Sequence, residues 1–166
     1  MRPHAPTDIL ACSEAWGANC GPAALAAALG VQVADVRDAV SSDGDFKDRS
    51  FMGIMDMKTA IHRYGATLGN ECYDAAAVKM FDDPWPGMNN RVVMIQWRGS
   101  WESVPRAAAA HRHWIAQIVL EDETIVFDAN EEQWITFEDW RDRIVPQLLP
   151  PRATGWRPAY VGQVIP

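Results

Sequence analysis

Cys20 lies in Trp16-Gly17-Ala18-Asn19-Cys20-Gly21-Pro22-Ala23-Ala24-Leu25, a tight turn that delivers one thiol to the start of an alanine-rich helix. Pro22 fixes a helical φ and lacks the amide hydrogen that a first helical turn leaves unpaired, so the helix should begin at about Cys20 or Gly21. A thiol there meets the positive end of the helix dipole, which favours the thiolate and makes the sulfur a nucleophile near neutral pH. Gly17 and Gly21 flank it and keep bulk away, so a substrate carbonyl can approach and backbone amides stay free to meet an oxyanion.

A thiol nucleophile needs a base that takes its proton and returns it to the leaving group, and histidine suits that exchange near neutral pH. Of the four histidines, His4 lies in the N-terminal segment and His62 on a helix, facing solvent or capping it. His111 and His113 stand where an apolar run starts. His113 is the candidate base, because a strand beginning there holds its backbone, whereas His111 still belongs to the preceding loop. Two histidines at i and i+2 can chelate, but no third ligand stands at a recognisable spacing, so neither metal nor cofactor is expected. The base in turn needs an acceptor that fixes its tautomer and ring orientation. Asp128 and Asn130 share one strand face, and the register of the hairpin decides which lies opposite His113. Asp128 is preferred, being nearer the apolar run, and its charge would stabilise an imidazolium paired with the Cys20 thiolate.

These side chains require two kinds of support. A helix over 20–29 that stops at Gly30 presents the cysteine, and a second helix with Val33, Val36, Ala39 and Val40 on one face packs on it. Polar residues over 41–50 read as a loop. Ile54, Met57, Ile61 and Tyr64 mark a third helix ending at Gly65, with its methionines as core filling. Asp74 reads as the N-cap of a short helix through Phe81, ended by Asp82-Asp83-Pro84-Trp85-Pro86-Gly87. The first strand is expected over 92–97, the second over 114–120 and the third over 124–127, the last two joined as a hairpin across Glu121-Asp122-Glu123. Thr136 should cap a helix over 137–145, with Asp139 as capping-box partner, and 160–165 supplies a last strand. Helices first and an antiparallel sheet afterwards define the α+β class.

At 166 residues the chain is expected to fold as one domain, 1–166, with a core large enough to need no crosslinks. Its apolar fraction of 48% and charged fraction of 22% are those of a globular protein. No apolar run is long enough to span a bilayer, and the start lacks the core of a secretory signal, so no membrane partner and a cytoplasmic site are expected. A formal net charge of −7 argues against nucleic acid. Three cysteines leave an odd thiol and fit a reducing compartment rather than a disulfide framework. Eight tryptophans are read as core filling or cleft edges, with some available to stack on ligands.

Asn19-Cys20-Gly21-Pro22-Ala23-Ala24-Leu25, His113-Trp114 at the start of an apolar strand and Val126-Phe127-Asp128 on the next together resemble the papain-like cysteine peptidases. The nearest type is the bacterial one that processes double-glycine leader peptides. The resemblance implies a papain-like fold, an N-terminal helical half carrying Cys20 packed on a C-terminal antiparallel sheet carrying His113 and Asp128, and a peptide or protein substrate held between them. The family usually carries a glutamine a few residues before the cysteine as an oxyanion donor, whereas Glu14 stands six residues before Cys20. As an anion it cannot donate and would repel the developing charge. The amide of Asn19, or Gln96 or Gln117 from the sheet, would have to substitute; otherwise the oxyanion depends on the backbone amide of Cys20. The connection over 98–112, with Trp101 and an alanine run, is longer than usual and reads as a lid or specificity loop. The same residues also suit a transglutaminase-like acyl transferase or glutamine deamidase. Glu14 and the tryptophans suit a catalytically weak papain-like domain that binds a protein.

Overall fold

The computed structural model describes residues 3–41, 46, 51–83, 87 and 89–166. Its centre is an antiparallel sheet of six strands, β1 (Thr67–Tyr73), β2 (Asn90–Arg98), β3 (Arg112–Val119), β4 (Thr124–Asp128), β5 (Gln133–Thr136) and β6 (Gly155–Ile165). They lie in the order β1-β6-β2-β3-β4-β5, every neighbouring pair antiparallel. The architecture is therefore α+β. β2 and β3 are buried on both faces, which explains why they read as continuous apolar runs rather than as alternating ones.

One face carries Met94, Trp114, Ala116 and Phe127 and packs against the N-terminal helices. These are α1 (Ile9–Trp16), α2 (Cys20–Leu29), a 3₁₀ turn over Val33–Val36 that runs on into α3 (Arg37–Val40), and α4 (Ile54–Tyr64). The other face carries Val93, Ile95, Ile115 and Val126 and is covered by α5 (Asp74–Asp82) and a C-terminal helical segment. That segment runs as α7 (Phe137–Asp139), a π-helical stretch over Trp140–Ile144, and α8 (Val145–Leu148). Between β2 and β3 the chain forms a 3₁₀ turn over Ser100–Ser103 and α6 (Pro105–Ala110).

α2 is the element against which the N-terminal half assembles. Alanine is the best helix former and carries no rotamer entropy to lose, and from Gly21 to Ala28 every residue of α2 is buried. Asn19 caps the helix by accepting the Gly21 N–H at 3.0 Å, and Gly30 ends it in the left-handed conformation at φ 72°. Gly21 does more for packing than for access. A Cβ at that position would lie 2.8 Å from the Met52 side chain, so Met52 occupies the space a larger residue would need.

Several expectations are corrected. No helix is expected from the sequence before Gly17, yet α1 fills Ile9–Trp16 and the Asp8 carboxylate accepts the Val33 and Ala34 N–H groups at 2.8 and 2.9 Å. The sheet does not wait for the helices to finish, since β1 follows α4 and pairs with β6 at the far edge. Asp74 is the first residue of α5, at φ 49°, not its N-cap. The strand expected over 114–120 begins at Arg112, one residue before His113, and ends at Val119, and the helix after Thr136 continues to Leu148. Thr136 does cap it, accepting the Asp139 N–H at 3.2 Å. Most of the loop expected over 41–50, and residues 84–86 of the crossing to the sheet, lie outside the described residues. Among the described residues no helix is long and apolar enough to cross a membrane.

Candidate active site

Cys20 is the first residue of α2, so its backbone N–H has no intrahelical acceptor and its side chain projects from the helix start. α2 packs along β3, and the Trp114 backbone N–H points at Cys20 Sγ at 3.5 Å. The neighbouring residue of β3 is His113, only 8% exposed and near enough to the Cys20 thiol for each to shift the other's pKa. His113 Nε2 meets Asp128 Oδ2 at 2.8 Å. With Nε2–H donated to the acid, Nδ1 is the ring atom left for the sulfur.

The hairpin register explains why Asp128, not Asn130, is the acceptor. Ala116 pairs with Phe127 and Gln117 with Val126, which places Asp128 across from Ile115, on the strand face His113 shares and one diagonal step away. Asn130 lies just past the end of β4 and turns back. Its backbone N–H and Nδ2 both donate to Asp128 Oδ1, at 3.0 and 2.9 Å. Trp140 Nε1 donates to Asp128 Oδ2 at 2.9 Å from the helical segment on the far face. The fully buried carboxylate thus receives four hydrogen bonds, the number its two oxygens can take.

The electrostatics follow from this closed arrangement. Burial alone would raise the Asp128 pKa, but His113, Trp140 and Asn130 outweigh it and hold the group below its ordinary value. Burial alone would lower the His113 pKa, yet Asp128 and Cys20 reverse that and raise it to about 10. Burial would likewise keep Cys20 a thiol, and it is His113 with the Trp114 amide that bring its pKa down. The three shifts share one direction, toward a thiolate and imidazolium pair backed by a carboxylate. Cys12 shows the contrast. Burial and its hydrogen bond to Asp8 raise its pKa, the opposite of what a nucleophile needs.

The remaining candidates divide. Asn19 stands beside Cys20 with its carbonyl oxygen committed to the Gly21 N–H, which fixes the amide plane and leaves Nδ2 as a donor. Glu14 is exposed on α1. Gln96 is tied by Nε2 to the carbonyls of Trp97, Ala108 and His111 at 3.2, 3.1 and 3.0 Å, and Gln117 by Nε2 to Phe81 O at 3.3 Å. Both glutamines hold connections rather than reach Cys20. His111 is not in an irregular loop but caps α6, with Nδ1 bonded to Ala107 O at 2.8 Å and its ring stacked on Trp101 at 4.0 Å. His62 is exposed near the end of α4.

Two tryptophans that sequence reasoning did not place belong to the site. Trp140 supplies the indole donor to Asp128, and Trp97 stacks on the His113 ring with centroids 5.8 Å apart and planes 18° from parallel. An aromatic face beside the imidazole excludes water and favours its cationic form. The unusual tryptophan content was the available signal, but nothing in it marked which two rings would reach the acid and the base. Trp16, Trp114 and Trp134 are buried in the core, as core filling predicts. The sequence matches no protein-family model and no curated relative.

Proposed function

We propose that this protein is a papain-like cysteine peptidase whose nucleophile is Cys20, whose general acid and base is His113 and whose orienting acid is Asp128. One observation carries the reading: a buried imidazole bonded at Nε2 to a fully hydrogen-bonded aspartate, on the residue next to the one whose N–H points at a thiol at a helix start.

The Cys20 thiolate attacks the carbonyl carbon of a peptide bond. His113 then gives its proton to the departing amine as the C–N bond breaks, leaving a thioester. Water attacks the thioester while His113 takes its proton, the C–S bond breaks, and the acid product leaves with the thiolate and imidazolium restored. The Cys20 backbone N–H and Asn19 Nδ2 are the donors for the oxyanion, and removing one such donor typically costs about 2.7 to 4 kcal/mol of transition-state stabilisation.

Incubation of a peptide mixture with wild type and with Cys20→Ala, followed by mass spectrometry, tests the proposal. Paired fragments with wild type, and intact peptides with the variant, are expected. A gain of about one dalton without fragments would show deamidation, and incorporation of an added amine would show acyl transfer; either would replace hydrolysis while keeping the same nucleophile. Intact, unmodified peptides bound equally by both proteins would overturn the catalytic reading.

A further inference from the structure

Beside the proposed site, Gln96, Arg112 and Arg157 stand in a row across the end of the sheet. Gln96 pairs with Arg112 on one side and with Arg157 on the other. Together with Glu102, Pro105 and Ala108 from the connection above, they line a cavity of about 250 Å³. Arg112 immediately precedes His113 and shares a strand face with Trp114, whose N–H points at Cys20 Sγ.

The charges in this cavity do not balance. Arg157 Nη1 is paired with Asp74 at 3.0 Å, and its Nε lies 3.9 Å from Glu102. Glu102 also faces Arg98 at 3.5 Å and accepts the Gly99 N–H at 3.2 Å. Arg112 has no carboxylate among the described residues. Its Nε donates to Gln96 Oε1 at 3.1 Å, and Gln96 is held in place by the three carbonyls bonded to Nε2. The guanidinium is thereby fixed along one edge while its two terminal nitrogens carry no acid. Burial, and Arg157 beside it, both disfavour its charge, which is the cost an incoming anion would relieve.

We propose that this cavity is a specificity pocket for a carboxylate of the substrate, read by the terminal edge of Arg112 with Arg157 as second cation. A planar guanidinium held along one edge matches a carboxylate through two parallel hydrogen bonds, which a carboxamide cannot reproduce. The inference rests on the peptidase reading for the word substrate, and goes beyond it by naming a group the substrate presents to the residue that precedes His113 on β3. The carboxylate is either an acidic side chain or a chain terminus.

Full-length Cys20→Ala protein, which binds without turnover, is titrated with acetylated and amidated Gly/Ala peptides carrying one Glu at successive positions. The Gln counterparts, and the Gly/Ala peptide with a free C-terminal carboxylate, complete the set. Affinity is read by calorimetry and contact by the NMR signal of the Arg112 Nε–H. A carboxylate peptide is expected to bind about tenfold or more tightly than its neutral counterpart, the worth of a hydrogen bond to a charged group, and to move the Arg112 signal. A Glu peptide winning identifies a side-chain acid, and the free-acid peptide winning identifies a terminus. Arg112→Gln in the same background should erase the preference and Arg112→Lys, which keeps the charge, should retain part of it. Equal binding of charged and neutral peptides, no binding of any peptide, or a preference that persists in Arg112→Gln overturns the proposal. A carboxylate preference in a wild-type protein that hydrolyses none of these peptides would count against the peptidase reading alone.

Discussion

At Cys20 and His113 the burial that should neutralise both groups is overcome by their mutual contact and by Asp128. The expected consequence is a bell-shaped pH dependence of kcat/KM. Its acid limb should lie below the ordinary thiol value of 9.0, where Cys20 first ionises. Its alkaline limb should lie near pH 10, where His113 loses its proton. Asp128→Asn removes the charge that raises His113, so the alkaline limb should move toward neutral pH; an unmoved limb would mean that the carboxylate does not set the imidazole pKa. Trp140→Phe deletes the indole donor to Asp128 together with the five-membered part of a fully buried ring. A hydrogen bond to a charged group is worth about 1.5–3 kcal/mol, and the lost ring volume adds a cavity cost, so chemical denaturation should show a loss of at least that size. The same variant should also raise the alkaline limb, because Asp128 Oδ2 freed of the indole holds the His113 Nε2–H more strongly, a shift that a purely structural role for the indole would not produce.

The elements that carry these residues were legible to different degrees. α2 was readable from its own composition, because Asn19, Pro22, the alanine run and Gly30 are local signals that all agree. β3 and β4 were readable as a hairpin, since two apolar runs around Glu121-Asp122-Glu123 leave few other pairings. Their register was not: Asp128 and Asn130 share one face, and it is the pairing of Ala116 with Phe127 that sets Asp128 beside His113 and leaves Asn130 past the strand end. β1 is not legible in the sequence because Thr67-Leu68-Gly69-Asn70-Glu71-Cys72-Tyr73 lies at the sheet edge with only Cys72 buried and no apolar alternation to mark it. The N-terminal helix was missed because Ile9–Trp16 is short and its anchor, Asp8, reaches 25 residues along the chain to Val33. At this scale Asn19→Ala should cost about 1 kcal/mol by removing the cap from α2. Leu25→Ala, at a fully buried position, should cost about 2–5 kcal/mol. Thermal unfolding distinguishes the two.

Across the whole molecule, Asp128 joins three separate parts of the chain: β3 through His113, the end of β4 through Asn130, and the C-terminal helical segment through Trp140. Its depressed pKa makes it a source of stability that is fully present above its unfolded value of 3.8 and is lost as pH falls through the lower folded value. The stability difference between wild type and Asp128→Asn should therefore be largest between 3.8 and the ordinary His113 value of 6.5, narrow below that range in acid denaturation, and narrow again as pH rises toward about 10, where the raised His113 pKa that the carboxylate supports ceases to contribute. A difference independent of pH would show that the carboxylate contributes by shape alone. The most direct measurement of the proposed nucleophilic device is the rate of iodoacetamide alkylation of each cysteine as a function of pH, in wild type and in His113→Ala. Cys20 is expected to react faster than Cys12 or Cys72, with a midpoint below 9.0 that climbs when His113 is removed. Equal labelling of the three thiols in the folded protein, or a Cys20 midpoint indifferent to His113→Ala, would contradict a thiolate activated by that imidazole.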